Sequence, residues 1–182
     1  MRRIVRDRPG CFTFGDLRCR TGADQKGDLI DGVIYLTSPD DTDAAGWSRR
    51  LLGRLLGSAV DARIAGVFCV RIPFRLDDRN APAPDIGLVH RDQRGRILRG
   101  YVDGPPDLAI EIVTPDSVDR DYRLKHRLYE RAGVEEYWIV DRDEHRATLF
   151  RPGPNGSYRP VRPRQGRLFS RVVPGFSLEQ TC

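Results

Sequence analysis

Lysine is almost missing from this chain: Lys26 and Lys125 are the only two, and every other Lys+Arg position is arginine. Long apolar runs are missing as well. None approaches the ~20 residues needed to span a bilayer, so no membrane segment is expected. The start of the chain, Met1 to Pro9, is interrupted by charge and lacks the apolar core of a signal peptide. Cysteine is sparse, with Cys11, Cys19, Cys69 and Cys182 forming no C-x-x-C pair and no regular spacing. That argues against a disulfide framework or a zinc finger and predicts reduced thiols in a cytoplasmic protein. The three histidines, His90, His126 and His145, share no metal-ligand spacing. Ser38, Ser117 and Ser170 stand in no nucleophile-elbow context. Internal repeats and low-complexity tracts are absent.

What remains describes a single folded unit. A length of 182 residues fits one domain, 1–182, with a sizeable core. With 39% hydrophobic and 31% charged residues, the chain should fold rather than stay disordered. The net charge of +5 permits nucleic-acid binding without requiring it.

Residues 1–27 read as an irregular, charged segment. Asp28 to Leu36 reads as a strand or hairpin with Gly32 near its turn, and Thr37 to Asp41 as a loop. An amphipathic helix is expected from about Thr42 to Val60, with Trp47, Leu51, Leu52, Leu55, Leu56 and Ala59 on its apolar face. Strands are expected at Val67–Leu76, Ile86–His90, Asp107–Val113, Glu136–Val140 and His145–Arg151, with shorter ones near Tyr158–Val161 and Leu168–Val173. Arg91–Gly95 and Tyr101–Pro106 read as turns. Thr114-Pro-Asp-Ser117 announces a second helix, Val118 to Ala132. The order implies an α/β domain, a mixed β-sheet flanked by helices.

Within that frame a few charges are out of place. Strand period two puts Asp107, Ala109, Glu111 and Val113 on one face of their strand and Leu108, Ile110 and Ile112 on the other. Glu111 therefore sits mid-strand among branched aliphatics, where a glutamate is disfavoured by propensity and by burial. Such a violation often marks a functional site. Asp85 follows Pro84 at the opening of the next strand upstream. If the two strands are neighbours, both carboxylates can share a hard cation such as Mg²⁺ or Mn²⁺. Helical spacing groups Lys125 with Val118, Tyr122, Leu128, Tyr129 and Ala132, so it faces inward while Arg120, Arg123, Arg127 and Arg131 reach solvent. A buried ammonium needs a negative partner. Glu111 could meet it as a structural ion pair, and Asp121 could pair with it on a solvated helix face. Asp85 could serve only to cap a turn, and Asp107 fits a turn residue better than a ligand.

Taken together, these residues resemble the Uma-type restriction endonucleases of the PD-(D/E)XK nuclease superfamily. The resemblance spans roughly Asp28 to Phe176. It rests on Asp28-Leu-Ile-Asp-Gly32, Pro84-Asp85, Pro106-Asp-Leu-Ala-Ile-Glu111-Ile-Val-Thr-Pro115, and Lys125…Tyr129…Gly133-Val-Glu-Glu-Tyr-Trp138-Ile-Val-Asp141. It implies a restriction-endonuclease-like core and Mg²⁺- or Mn²⁺-dependent hydrolysis of DNA phosphodiester bonds. On this correspondence Asp85 and Glu111 are the metal ligands and Lys125 the lysine that positions water or stabilises the transition state. Asp28 is a further acidic member of the site.

Three departures accompany the resemblance. The position two residues after the motif acid is Val113, the lysine standing instead on the following helix. Asp28 occupies a place where glutamate is common. The stretch Asp43-Ala-Ala-Gly-Trp47 lacks a histidine that family members often carry. The last two favour an alternative, a nuclease fold that binds DNA or a partner with little or no turnover. Cutting both strands of a duplex calls for two sites, hence a possible homodimer. Tyr137, Trp138 and the segment Leu168–Val173 either supply its interface or fill the core.

Overall fold

The computed structural model describes residues 4–5, 10–21, 26–36 and 42–181. The loop expected at Thr37–Asp41 and the thiol of Cys182 lie outside them. The centre is a six-stranded mixed sheet in the order β12-β11-β10-β9-β6-β4. Its members are β4 (Gly66–Cys69), β6 (Ile86–His90), β9 (Leu108–Val113), β10 (Glu136–Asp141), β11 (Arg146–Pro152) and β12 (Tyr158–Pro160). β9 and β10 run parallel and the other neighbours are antiparallel. Both central strands are buried on both faces, which explains their near-continuous Ile, Val and aromatic content.

Each face has its own apolar layer. Leu108, Ile110, Ile112, Trp138 and Val140 pack against Leu51, Leu55 and Ala59 of the long helix α2 (Thr42–Asp61) and against Leu168, Val173 and Phe176 near the C-terminus. On the opposite face Ala109, Val113, Tyr137 and Ile139 meet Tyr129 and Val134. Tyr137 and Trp138 are thus core residues and supply no dimer surface. Leu168, Val172 and Val173 are buried too, leaving Phe169 exposed.

Several local expectations are corrected. The N-terminal segment is not wholly irregular. It carries β1 (Ile4–Val5) and α1 (Phe14–Arg20), a short helix begun by a capping box in which Thr13 and Asp16 satisfy each other's backbone N–H. The strand expected at Val67–Leu76 is broken into β4 and β5 (Phe74–Arg75). Arg71 adopts a left-handed conformation (φ 57°), and Pro73 has no N–H to offer a ladder. Tyr101–Asp103, read as part of a turn, forms β8, which pairs with β5 and with β7 (Ile97–Leu98), a strand the sequence did not suggest. β7 and β8 follow a 3₁₀ stretch, Arg91–Arg96. β13 (Arg167–Phe169) is shorter than expected and pairs with β14 (Ser177–Glu179), which carried no sequence signal.

The second helix also differs. It opens as a π-helical stretch, Arg120–Lys125, before continuing as α3 (His126–Ala132). Bonding from i to i+5 widens the turn and brings residues five apart onto nearly the same side. Arg120, five residues before Lys125, therefore turns inward with it and is buried, not solvated as α-helical counting predicts; Asp121, four before Lys125 and on its face in either helix, is buried too. α3 ends at Gly133, whose φ of 74° is the left-handed conformation that closes a helix.

A hairpin of β2 (Gly27–Ile30) and β3 (Val33–Leu36) turns through Asp31 and Gly32, both at positive φ. It is fixed to the rest of the fold by main-chain bonds. Leu29 and Ala81 exchange N–H···O contacts of 3.1 and 2.7 Å, and the Ala83 N–H donates to Asp28 Oδ1 at 2.8 Å. This docking carries Lys26 and Asp28 to the edge of the acidic strands.

Candidate active site

β6 and β9 are neighbours, with Ile86 opposite Ile110. The antiparallel register one step further sets Asp85 opposite Glu111. Asp85 is oriented by its own main-chain contact, since the Ile112 N–H donates to Asp85 Oδ2 at 2.8 Å. Its other oxygen, Oδ1, meets Lys26 Nζ at 2.7 Å, and the same ammonium stands 3.5 Å from Glu111 Oε2. The two carboxylates can therefore be no farther apart than those two contacts laid end to end. Glu111 Oε1 is held from behind, by Lys125 Nζ at 2.9 Å and by the Tyr129 hydroxyl, which donates at 3.0 Å.

Lys125 is fully buried. Besides Glu111, its ammonium lies 3.0 Å from Asp28 Oδ1 and 3.7 Å from Asp121 Oδ1. Arg120 Nε approaches Asp28 Oδ2 at 3.1 Å and Asp121 Oδ1 at 3.9 Å. All four sequence-predicted residues, Asp28, Asp85, Glu111 and Lys125, thus come together. Asp121 joins them as the partner of Lys125 that the sequence offered, though buried and not on a solvated face, and two further residues, Lys26 and Arg120, were not predicted to join. Lys26 did leave a signal. Strand period two places it on the same side as Asp28, and it is the chain's other lysine. Asp107 stays outside, accepting the His90 N–H at 2.7 Å. His126 packs against the rings of Tyr137, Phe150 and Tyr158.

Four carboxylates face three cations, so the cluster carries one formal negative charge in excess. Its members respond differently. Burial pushes the Asp28 carboxyl up, but Lys125, Arg120 and Lys26 outweigh it and hold the group at about 2. Asp85 is likewise lowered by Lys26 and Lys125 against burial. For Glu111 burial wins and its pKa rises to about 7, with Asp121 and Asp85 adding to the rise. Burial also raises Asp121. Lys125 is raised despite its burial, because Asp28, Glu111 and Asp121 surround it. Lys125 Nζ, Asp28 Oδ2, Asp121 Oδ1 and Arg120 Nε have no aligned hydrogen bond. Charge proximity holds them together, rather than directed bonding.

A cavity of about 170 Å³ opens over the front of the cluster, with Lys26, Asp85, Glu111, Arg120, Arg49 and Arg71 among its walls. Lys125 and Asp28 lie behind it, off the wall. The main-chain N–H of the strained Arg71 donates to Pro84 O at 3.1 Å, which anchors that arginine next to Asp85.

The chain matches, over residues 13–181, the family described as "Uma2: Putative restriction endonuclease". The chain belongs to the Uma2 family. A similar solved structure is that of "a putative nuclease belonging to DUF820 from Anabaena variabilis ATCC 29413". It superposes with a TM-score of 0.73 at 16% identity, covering 92% of this chain and 94% of that one. At that identity the likeness speaks for the nuclease fold alone. No curated protein matches. No helix among the described residues of this Uma2 protein is long and apolar enough to cross a membrane.

The donor set suits a hard divalent cation. Asp85 and Glu111 offer only carboxylate oxygens, and the Lys26 ammonium stands between them as a stand-in cation. Among the described residues no three His, Cys, Asp or Glu side chains are grouped to hold a metal.

Proposed function

We propose that this protein is a divalent-metal-dependent DNA endonuclease whose centre is the Asp85–Glu111 pair. The observation that carries the reading is the cation already seated between the two carboxylates at the floor of an arginine-walled cavity. Asp85 and Glu111 would hold Mg²⁺ or Mn²⁺. When bound, such an ion polarises the scissile phosphate and lowers the pKa of a coordinated water. The chain's own contribution is placement and charge. The Ile112 N–H fixes Asp85, and Tyr129 with Lys125 fixes Glu111. Asp28 and Asp121 keep Lys125 charged and immobile, so the field of its ammonium acts on the site through Glu111. Arg49 and Arg71, which have no ion-pair partner among the described residues, are available to phosphates. Cleavage of both strands would take a second copy of the chain.

The test is plasmid nicking by the full chain across a Mg²⁺ or Mn²⁺ titration, beside Asp85→Asn and Glu111→Gln. Wild-type protein should nick only with metal, and each variant should lose at least about a hundredfold in rate. Metal-independent nicking, or wild-type rates in both variants, would refute the assignment. Retarded duplex without any cleavage would favour the binding-only alternative, to which Asp28 in place of glutamate already points.

A further inference from the structure

The two lysines of this chain reach the same glutamate from opposite sides, and only one of them faces the space a substrate would fill. Lys125 approaches Glu111 Oε1 from the core and has no exposed surface. Lys26 approaches Glu111 Oε2 from the cavity and forms part of its wall. Building on the nuclease reading above, we propose that Lys26 is the substrate-facing lysine of this site. In the metal-free protein its ammonium holds the cation position between Asp85 and Glu111; when a divalent cation enters, it turns into the cavity and contacts a phosphate oxygen.

Charge and tethering both require this exchange. An ammonium 2.7 Å from Asp85 Oδ1 and 3.5 Å from Glu111 Oε2 occupies the point where a cation shared by those oxygens would sit. Two positive charges cannot share it at contact distance without strong repulsion. The main chain next to Lys26 is held by the hairpin: Gly27 pairs with Leu36 and is packed so closely that a Cβ there would lie 2.7 Å from the Thr21 side chain and 3.1 Å from that of Leu17. The flexible four-carbon stem must therefore take up the movement. The core side is closed by Lys125, Arg120 and their carboxylates, so the cavity is the open direction. There the released ammonium joins Arg49 and Arg71, giving three cations along a path suited to a polyanionic strand.

The site before exchange carries three cations for four carboxylates. A divalent ion added beside a Lys26 that has swung clear leaves the inner cluster near neutrality. The same geometry makes Lys26 a competitor for metal and a partner for substrate, and the two roles separate by experiment.

The test uses the full chain with Lys26→Met and Lys26→Arg. Mn²⁺ binding is followed by electron paramagnetic resonance, and plasmid nicking is measured at saturating Mn²⁺. Lys26→Met should bind Mn²⁺ at least about tenfold tighter, since a competing unit charge at contact distance is gone. It should also nick at least about a hundredfold more slowly, with KM for DNA raised, while Lys26→Arg recovers much of the KM. Unchanged Mn²⁺ affinity in Lys26→Met would overturn the cation-position claim. Tighter Mn²⁺ binding with wild-type nicking would overturn the substrate contact. If wild-type protein nicks nothing, the nuclease reading fails, and with it the substrate contact. The Mn²⁺ measurement still decides whether Lys26 holds the cation position.

Discussion

Replacing Lys125 by methionine removes one positive charge from a place with no exposed surface and keeps nearly the same volume. Three carboxylates, Asp28, Glu111 and Asp121, lose an ammonium that stands 2.9 to 3.7 Å away. Only Lys26 and Arg120 remain to offset four acids. Breaking a buried ion pair from one side costs about 3–5 kcal/mol, against a total stability of roughly 5–15 kcal/mol for a domain. For a chain of this length that corresponds to a Tm lower by roughly 6–20 °C. Urea unfolding in chelator-treated buffer, followed by tryptophan fluorescence, should show a lower midpoint with an unchanged slope. The double variant Lys125→Met/Glu111→Gln removes a charge from each side and should be less destabilised than Lys125→Met alone. A Lys125→Met midpoint equal to that of wild type would refute the view that this lysine neutralises the buried acids. So would strict additivity in the double variant.

The raised pKa of Glu111, about 7 against an ordinary 4.5, sets a pH dependence. Between those values the folded protein holds a proton that the unfolded chain has released. The stability from this group is therefore greatest below 4.5 and is lost as pH rises through 7. Divalent cations must displace the same proton, so Mn²⁺ affinity should climb with pH to about 7 and level off above it. Calorimetry in buffers of different ionisation enthalpy should register proton release, and a flat profile would count against the Glu111 assignment. A separate test concerns Glu136, buried and unrelated to the cavity. It accepts from Arg151 at 2.6 Å, Ser170 Oγ at 2.6 Å, the Arg171 N–H at 2.6 Å and the Trp138 indole at 3.1 Å. Glu136→Ala should cost about 3–5 kcal/mol in unfolding experiments by stranding the Arg151 charge, and a loss under 1 kcal/mol would refute that role.

Legibility followed the physics of each element. Glu111 could be read because a single acid on an aliphatic strand violates a strong rule, and Lys125 because its neighbours at helical spacing are apolar. The strands β6, β9 and β10 were legible within a residue for the same reason: long apolar runs between turn signals. Arg120 was not legible, since counting by 3.6 assumes an α-helix and nothing local announces the wider π turn; Asp121 was legible as a partner of Lys125, but not its burial. β5, β7 and β8 have two or three residues each, too few for an alternating pattern to register. A strand that begins at Asp28 leaves Lys26 outside its pattern. Starting the strand earlier exposes the Lys26–Asp28 alternation.

The docking of the β2–β3 hairpin on residues 81–83 also has a kinetic meaning. During synthesis the hairpin leaves the ribosome long before Lys125, yet Asp28 reaches its partners only after Arg120 and Lys125 have emerged and folded against β9. Until then Asp28 has no buried cation to meet, and Lys26 has neither Asp85 nor Glu111 fixed in place. A nascent or locally opened chain therefore holds all the acids of the site without holding the site. These contacts are far apart in sequence, and long-range closure of that kind slows folding; the cluster is complete only in the finished fold.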